Sequence, residues 1–259
     1  MDEVIKISAV VITFNEEKNI GRCLKSLSVV ADEIIVIDSF STDRTELICN
    51  SFGVKFIKNP FNGHIEQKNF AIQQARFSYV LSLDADEVLS DILSQKIIEI
   101  KKNSRYEAYS FNRLTNYCGK WIRHCGWYPD VKIRLWHVDY GKWSGINPHD
   151  KVFLIKNARL KHIKGDLLHY SYYSINQHIA QLNYFTDIMA GEAYAQNKRT
   201  NLFYIITSPF FKFIKSYFFK LGILDGYYGF IVCMISAHAT FIKHIKTKEL
   251  FKKGVHDYI

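Results

Sequence analysis

The 259-residue sequence has no Cys-x-x-Cys pair, and its five cysteines (Cys23, Cys49, Cys118, Cys125, Cys233) are odd in number, scattered, and without histidines at zinc-ligand spacing. That argues against structural zinc and leaves Cys23 and Cys49, on apolar helical positions, as buried thiols. The N-terminus lacks the basic start of a secretory signal, because Met1-Asp2-Glu3-Val4 is acidic there, so a cytoplasmic location is expected. The apolar stretch Phe230 to Ile242 covers only thirteen residues and contains His238, short of the roughly 20 needed to span a bilayer. No internal repeat or low-complexity segment stands out. A glycine-rich loop is also missing after the first apolar run, where Phe14-Asn15-Glu16-Glu17 stands instead; a nucleotidyltransferase would want a basic, glycine-rich loop there, which disfavours that class.

Acidic residues are scarce in one half only. Residues 1–100 carry 10 Lys/Arg against 15 Asp/Glu, whereas residues 101–259 carry 24 against 10, a net −5 followed by +14. The second half therefore suits an anionic partner such as phosphate or acidic lipid. Nucleic acid is not expected, because the strand-end carboxylates of the first half would repel polyphosphate without an intervening cation. Hydrophobic residues at 48% and charged residues at 23% fit a folded chain with a sizeable core, and 15% aromatic residues supply stacking surface.

Strands and helices alternate along the first hundred residues. Ile7 to Thr13 is a β-branched run followed by Ile20, Cys23, Leu24 and Leu27 at helical spacing. Glu33 to Ile37 repeats the pattern, with the loop Asp38 to Asp43 and a helix capped by Ser41 or Thr42. Val54 to Ile57 is a third strand, and a helix from His64 to Ala75 leads to a fourth, Tyr79 to Leu83. This order predicts an α/β fold with a largely parallel, Rossmann-like sheet and helices on both faces. Ligands of such sheets bind beyond the carboxyl ends of the strands, which selects the loops Thr13 to Glu17, Asp38 to Asp43 and Asp84 to Glu87.

Asp84-x-Asp86 at a strand end is the sharpest chemical signal. Mg2+ or Mn2+ takes one or two carboxylates and completes its shell with phosphate oxygens and water, which this spacing suits; a helix N-terminal turn would also favour such acids. Asp38 ends a second strand on the same edge, where it either binds a base or ribose or closes its own turn. Lys68, in Gln67-Lys68-Asn69, is placed to neutralise a diphosphate. Asp130 follows Trp127-Tyr128-Pro129, and aromatic surroundings would raise its pKa by desolvation, as suits a base; a turn aspartate after proline is the plainer alternative. A glycoside hydrolase would need two opposed carboxylates but no strand-end metal motif.

The strings VVITFNEEKNIGRCLKSL, EIIVIDSFSTDRT, QKNFAI and VLSLDADEV, in this order, resemble glycosyltransferase family 2, inverting enzymes of the GT-A nucleotide-sugar fold. GKWIRHCGWYPDVKIRLW, PHDKV, LLHYSYYS and LGILDGYYGF resemble a subgroup that adds β-linked glucose to the lipopolysaccharide core. The resemblance implies a hexosyltransferase using a UDP-sugar, with Mg2+ or Mn2+, on a lipopolysaccharide-core or related glycan acceptor. By position it implies Thr13, Asn15, Glu17, Asp38, Gln67, Lys68 and Asn69 at the nucleotide sugar, Asp84 and Asp86 in the ribose and metal roles, and His149 as a metal ligand or diphosphate donor. It makes Asp130 the catalytic base. Arg134, Arg123 and His124 suit phosphate or an anionic acceptor, because guanidinium groups bind phosphate in a bidentate manner. Ser39 replaces the second aspartate many members carry, and Pro129 replaces a glutamate.

The expected division is a glycosyltransferase domain over 1–170, with a donor-binding half at 1–105 and an acceptor-side half at 106–170, then a helical region over 171–259. From Leu202 to Phe251, Phe210, Phe211, Phe213, Phe218 and Phe219 interleave with Lys212, Lys215 and Lys220. This composition predicts peripheral attachment to the inner face of the cytoplasmic membrane, where a lipid-linked acceptor would be met, or else a packed helical pair.

Overall fold

Alternation along Ile7–Thr13 (β1) places Ala9 and Val11 in one core and Val10 in another, so the strand is covered on both faces. The first face receives Ile20, Cys23, Leu24 and Leu27 of the helix Ile20–Leu27 (α1) and Leu93, Ile97 and Ile100 of Asp91–Lys102 (α4). Burying each such leucine stabilises the fold by about 1.5–3 kcal/mol. The other face packs Ile35, Ile37 and Val10 against Phe70 and Ala71 of His64–Gln73 (α3). The computed structural model describes residues 4–146 and 149–253, with the side chains of Ile146 and His149 outside that description.

Glu33–Asp38 (β2), Lys55–Lys58 (β3) and Tyr79–Asp84 (β4) join β1 in parallel, in the order β3-β2-β1-β4. Register pairs Thr13 with Asp38 and Ile12 with Asp84, which brings the three predicted loops to one edge. Beyond β4 the sheet continues with Asp130–His137 (β8), Ala108–Tyr117 (β6), Leu160–Tyr172 (β11) and Glu87–Leu89 (β5); β8 runs antiparallel to β4 and β6, and β5 antiparallel to β11. Gly141–Ile146 (β9) and His149–Leu154 (β10) form a separate antiparallel pair. The α/β architecture with helices on both faces is as expected. Thr45–Ser51 (α2) differs in detail: it begins beyond Ser41 and Thr42, Ser41 is engaged with Asn15 and Asp38, and Asp43 Oδ1 accepts the Thr45 N–H at 2.9 Å.

The chain divides into two compact units, Met1–Leu114 with Asp130–Tyr170, and Thr115–Pro129 with Ser171–Ile259. In the second, Lys120–Ile122 (β7) pairs with the end of β6. Its helices are Ile175–Ala195 (α5), capped by Ser174, Leu202–Ile214 (α6), capped by Asn201, and Gly226–Lys253 (α7). Phe230 to Ile242 is thus only the middle of α7, whose 28 residues extend about 42 Å. Gly222–Lys253 is long and apolar enough to cross a membrane by length and composition, at a mean hydropathy of 1.2 over 18 residues. The expected shortfall in length is therefore corrected: the helix continues through its basic C-terminal turns.

Candidate active site

The loops after β1 and β2 are laced together. Asn15, in the left-handed region at φ 53°, donates its N–H to Ser41 Oγ at 2.8 Å, while its own Oδ1 accepts from Thr42 N–H at 2.8 Å. Glu16 N–H donates to Thr45 Oγ1 at 2.8 Å, Glu17 N–H to Asp43 Oδ2 at 3.0 Å, and Arg44 Nε to Glu17 Oε2 at 3.2 Å. Asp38 is fully buried and accepts from Ser41 N–H and Oγ, so its carboxylate closes its own turn at the edge where the uridine contact is expected. Thr13 Oγ1, by contrast, is buried without a hydrogen-bond partner among the described residues. A buried hydroxyl left unsatisfied costs about 1–3 kcal/mol, which a polar ligand at this edge would recover.

Asp84 does not stand alone at the end of β4. Lys68 Nζ lies 2.9 Å from its Oδ1 and 2.8 Å from Asp150 Oδ2, and Arg134 reaches Asp84 Oδ2 at 3.3 Å. Arg134 also donates to both oxygens of the buried Glu87, at 2.7 and 3.0 Å. Burial alone would raise the Asp84 pKa, but Lys68, Arg134 and Arg113 outweigh it and hold the carboxyl well below its usual range. Lys68, the lysine expected to neutralise a diphosphate, is buried between two carboxylates and over the Trp143 ring at 4.2 Å. Its neighbours are equally committed. Gln67 Nε2 donates to Ser39 Oγ at 3.1 Å, and Asn69 exchanges bonds of 2.9 and 3.1 Å with the Trp143 main chain. Arg134→Met would strand Glu87, and such a broken buried pair is expected to cost about 3–5 kcal/mol in urea unfolding.

Asp86 is placed differently. Its Oδ2 is 3.1 Å from His169 Nε2, with the two side chains 23% and 14% exposed. His169 arrives there because β11 pairs His169 with Glu87, and Tyr170 N–H bonds the Asp86 carbonyl at 2.9 Å. A carboxylate oxygen and an imidazole nitrogen are both ligand types that Mn2+ accepts, so Asp86 and His169 are the side chains here that would hold a divalent cation. No group of three or more His, Cys, Asp or Glu converges among the described residues, so phosphate oxygens and water would complete the shell. His149, the expected metal-ligating histidine, has its side chain outside the described residues. Glu16 adds to the charge at this edge. Its pKa is raised to about 7, chiefly by burial and further by Asp86, Asp43 and Asp84, against the opposing Asn19 hydrogen bond.

Asp130 opens β8, and its carboxylate is held at 2.7 and 2.9 Å by Arg113 and at 3.0 Å by Lys132. Burial would raise its pKa, as the aromatic neighbourhood suggested, but Arg113 and Lys132 more than offset it and the group sits below its ordinary range. Arg113 also approaches Glu87 at 3.5 Å. The charges thus alternate from Lys132 through Asp130, Arg113, Glu87, Arg134, Asp84 and Lys68 to Asp150. Arg113→Gln removes a lowering influence, so the Asp130 pKa is expected to rise in a carbon-13 carboxyl titration and the acidic limb of the rate profile to move to higher pH. An unmoved titration would deny Arg113 that influence. Arg123 and His124 belong to the second unit, where both main-chain N–H groups bond Asp225.

The chain is similar to known proteins in sequence and in fold. The family profile described as glycosyl transferase family 2 matches residues 8–158. A glycosyltransferase of Rickettsia typhi is 33% identical over 259 residues, 96% of this chain and 89% of that one. The lipopolysaccharide core biosynthesis glycosyltransferase LpsC of Rhizobium meliloti is 28% identical, covering 93% of this chain and 92% of its own. In fold, the chain is similar to the mannosyltransferase PcManGT from Pyrobaculum calidifontis, solved with GDP-Man and Mn2+, at a TM-score of 0.57 and 11% identity over 97% of this chain and 90% of that one. The architecture is the GT-A fold.

Proposed function

Because the chain belongs to glycosyltransferase family 2, we propose that it is an inverting hexosyltransferase that moves glucose from UDP-glucose to a glycan of the lipopolysaccharide core. The observation that carries the donor half of this reading is the strand-end edge, where Asp86 faces His169 and Thr13 Oγ1 has no hydrogen-bond partner among the described residues. Its acceptor half is supported by the likeness to LpsC along most of both chains.

Asp86 and His169 would hold Mg2+ or Mn2+, which supplies positive charge to offset the charge developing on the departing diphosphate. Asp84, Lys68 and Arg134 fix one another and so set the end of β4 from which Asp86 projects. Asp130 accepts the proton of the acceptor hydroxyl as that oxygen bonds the anomeric carbon and the bond from that carbon to the diphosphate breaks. Held ionised by Arg113 and Lys132, it is ready throughout the neutral range but weakly basic, so its proton transfer belongs late, when the new bond is forming. Thermal unfolding with a nucleotide panel tests the donor assignment. UDP with Mn2+ is expected to raise the Tm, as any ligand that binds only the folded state must. Equal or greater protection by GDP would refute the uridine preference.

The second unit supports peripheral membrane attachment. Phe203, Phe210, Phe211 and Phe219 are 62–80% exposed, and none of Lys212, Lys215 or Lys220 has a carboxylate partner among the described residues. Each lysine near an anionic surface contributes about 1 kcal/mol. Binding to anionic vesicles is expected to weaken in high salt and on changing all three lysines to glutamine. Equal partition onto neutral vesicles would contradict the electrostatic part of this reading.

A further inference from the structure

The separate sheet of β9 and β10, in the first unit, has one face packed and one face turned to solvent. Along β10 alternate residues go inward: Asp150 Oδ2 takes Lys68 Nζ at 2.8 Å, and Val152 and Leu154 pack with Trp136 and Trp143. The residues between them go the other way, because successive side chains of a strand alternate. Lys151 is exposed, Phe153 is 54% exposed and Ile155 53%. Register sets the exposed Lys142 opposite Phe153, and Ile155 N–H carries the pairing on to the Tyr140 carbonyl at 3.0 Å. The outer face therefore mixes two lysines with two large apolar side chains.

The chain keeps this character past the strand. Residues 151–164 hold five Lys/Arg and no Asp/Glu, and Leu160 adds a third large apolar side chain, 46% exposed. Arg159 is taken by Glu107 at 2.8 Å. Lys142, Lys151, Lys156, Lys161 and Lys164, all exposed, have no carboxylate partner among the described residues. A sheet face that only meets water is kept polar, with charges of both signs. This one is cationic and apolar at once.

The two halves of that composition select the partner. Lysines alone would suit any polyanion, but Phe153, Ile155 and Leu160 gain nothing from a soluble anion. They gain burial from hydrocarbon lying beneath anionic headgroups, which the lysines attract. We propose that the first unit makes its own membrane contact: the outer face of β9 and β10, with the segment running to Lys164, rests on an anionic bilayer, and Phe153, Ile155 and Leu160 reach the acyl boundary. This goes beyond the attachment read above from the second unit, uses none of its residues and does not depend on it. The inner face of the same sheet carries Trp143 and Asp150 against Lys68, so the bilayer meets the sheet that holds this buried lysine in place.

Co-sedimentation with vesicles of phosphatidylcholine and phosphatidylglycerol tests it, using the full chain with Lys212, Lys215 and Lys220 changed to glutamine so that those lysines are silent. This parent variant is expected to keep salt-sensitive binding. Adding Lys151→Gln, Lys156→Gln and Lys164→Gln should lower its partition coefficient about a hundredfold, at about fivefold for each lysine near an anionic surface. Phe153→Ser in the same parent should lower it about tenfold through lost apolar burial. All four side chains are exposed, so the Tm should hold and unfolding cannot account for the losses. A parent variant that no longer binds, or one whose binding survives the three added glutamines, would overturn the proposal and leave the second unit as the place to look for attachment. Binding unchanged by Phe153→Ser would also overturn it, giving the lysines to a soluble polyanion. If the wild type binds no better than the parent, the second-unit reading fails instead and this one stands on the added substitutions.

Discussion

Replacing Asp86 with alanine is expected to lower the transfer rate by about a thousandfold or more while leaving the fold intact. The carboxylate is partly exposed and bonded to His169 rather than to the buried charges around Asp84, so its loss strands no buried cation. What it removes is the oxygen ligand through which a divalent cation would stabilise the departing diphosphate, worth several kcal/mol, and about 4 kcal/mol corresponds to that factor. Chelation of the wild type should reproduce the loss, and added Mn2+ should restore the wild type but not the variant. His169→Ala should fall in the same direction, which would separate His169 from His149 as the nitrogen donor. An Asp86→Ala enzyme with near wild-type rates, or a chelated wild type that keeps turning over, would remove the metal from the account.

Asp130→Asn is expected to cost on the order of a hundredfold or more in transfer rate, with donor affinity retained. The amide keeps the shape, but its single oxygen can accept from Arg113 or from Lys132 and not from both, and it cannot take a proton. The surrounding cations sharpen the expectation. They hold the wild-type carboxylate below its ordinary range, so activity should persist well into mildly acidic solution and decline only as the pH approaches that lowered value. A normal rate for Asp130→Asn would move the base to another residue. Loss of donor binding would show that Asp130 supports the charged series instead of the chemistry.

The donor half of the molecule was legible because local patterns carry it. Ile7 to Thr13, Glu33 to Asp38 and Tyr79 to Asp84 are short apolar runs ending in polar residues, and parallel pairing then forces their ends to one edge. The side chains at that edge were less legible, since their partners come from distant segments. Lys68 reads as an exposed helical lysine until β9 and β10 bring Trp143 and Asp150 to it. Asp130 reads as a desolvated acid until β6 supplies Arg113. His169 was the residue missed. It sat in the string LLHYSYYS, but only the β5–β11 register sets it against Asp86. The extent of α7 was not legible for another reason: the apolar stretch Phe230 to Ile242 ends at its first lysine, whereas a helix ends where its hydrogen bonds do.

The most direct measurement of the central claim is product analysis by mass spectrometry and NMR after incubating the enzyme with UDP-glucose, Mn2+ and a lipopolysaccharide core oligosaccharide lacking its glucose. The account predicts one added hexose in β linkage, release of UDP in equal amount, and neither product once the metal is chelated. Retention of the α configuration, or metal-independent transfer at the same rate, would contradict it.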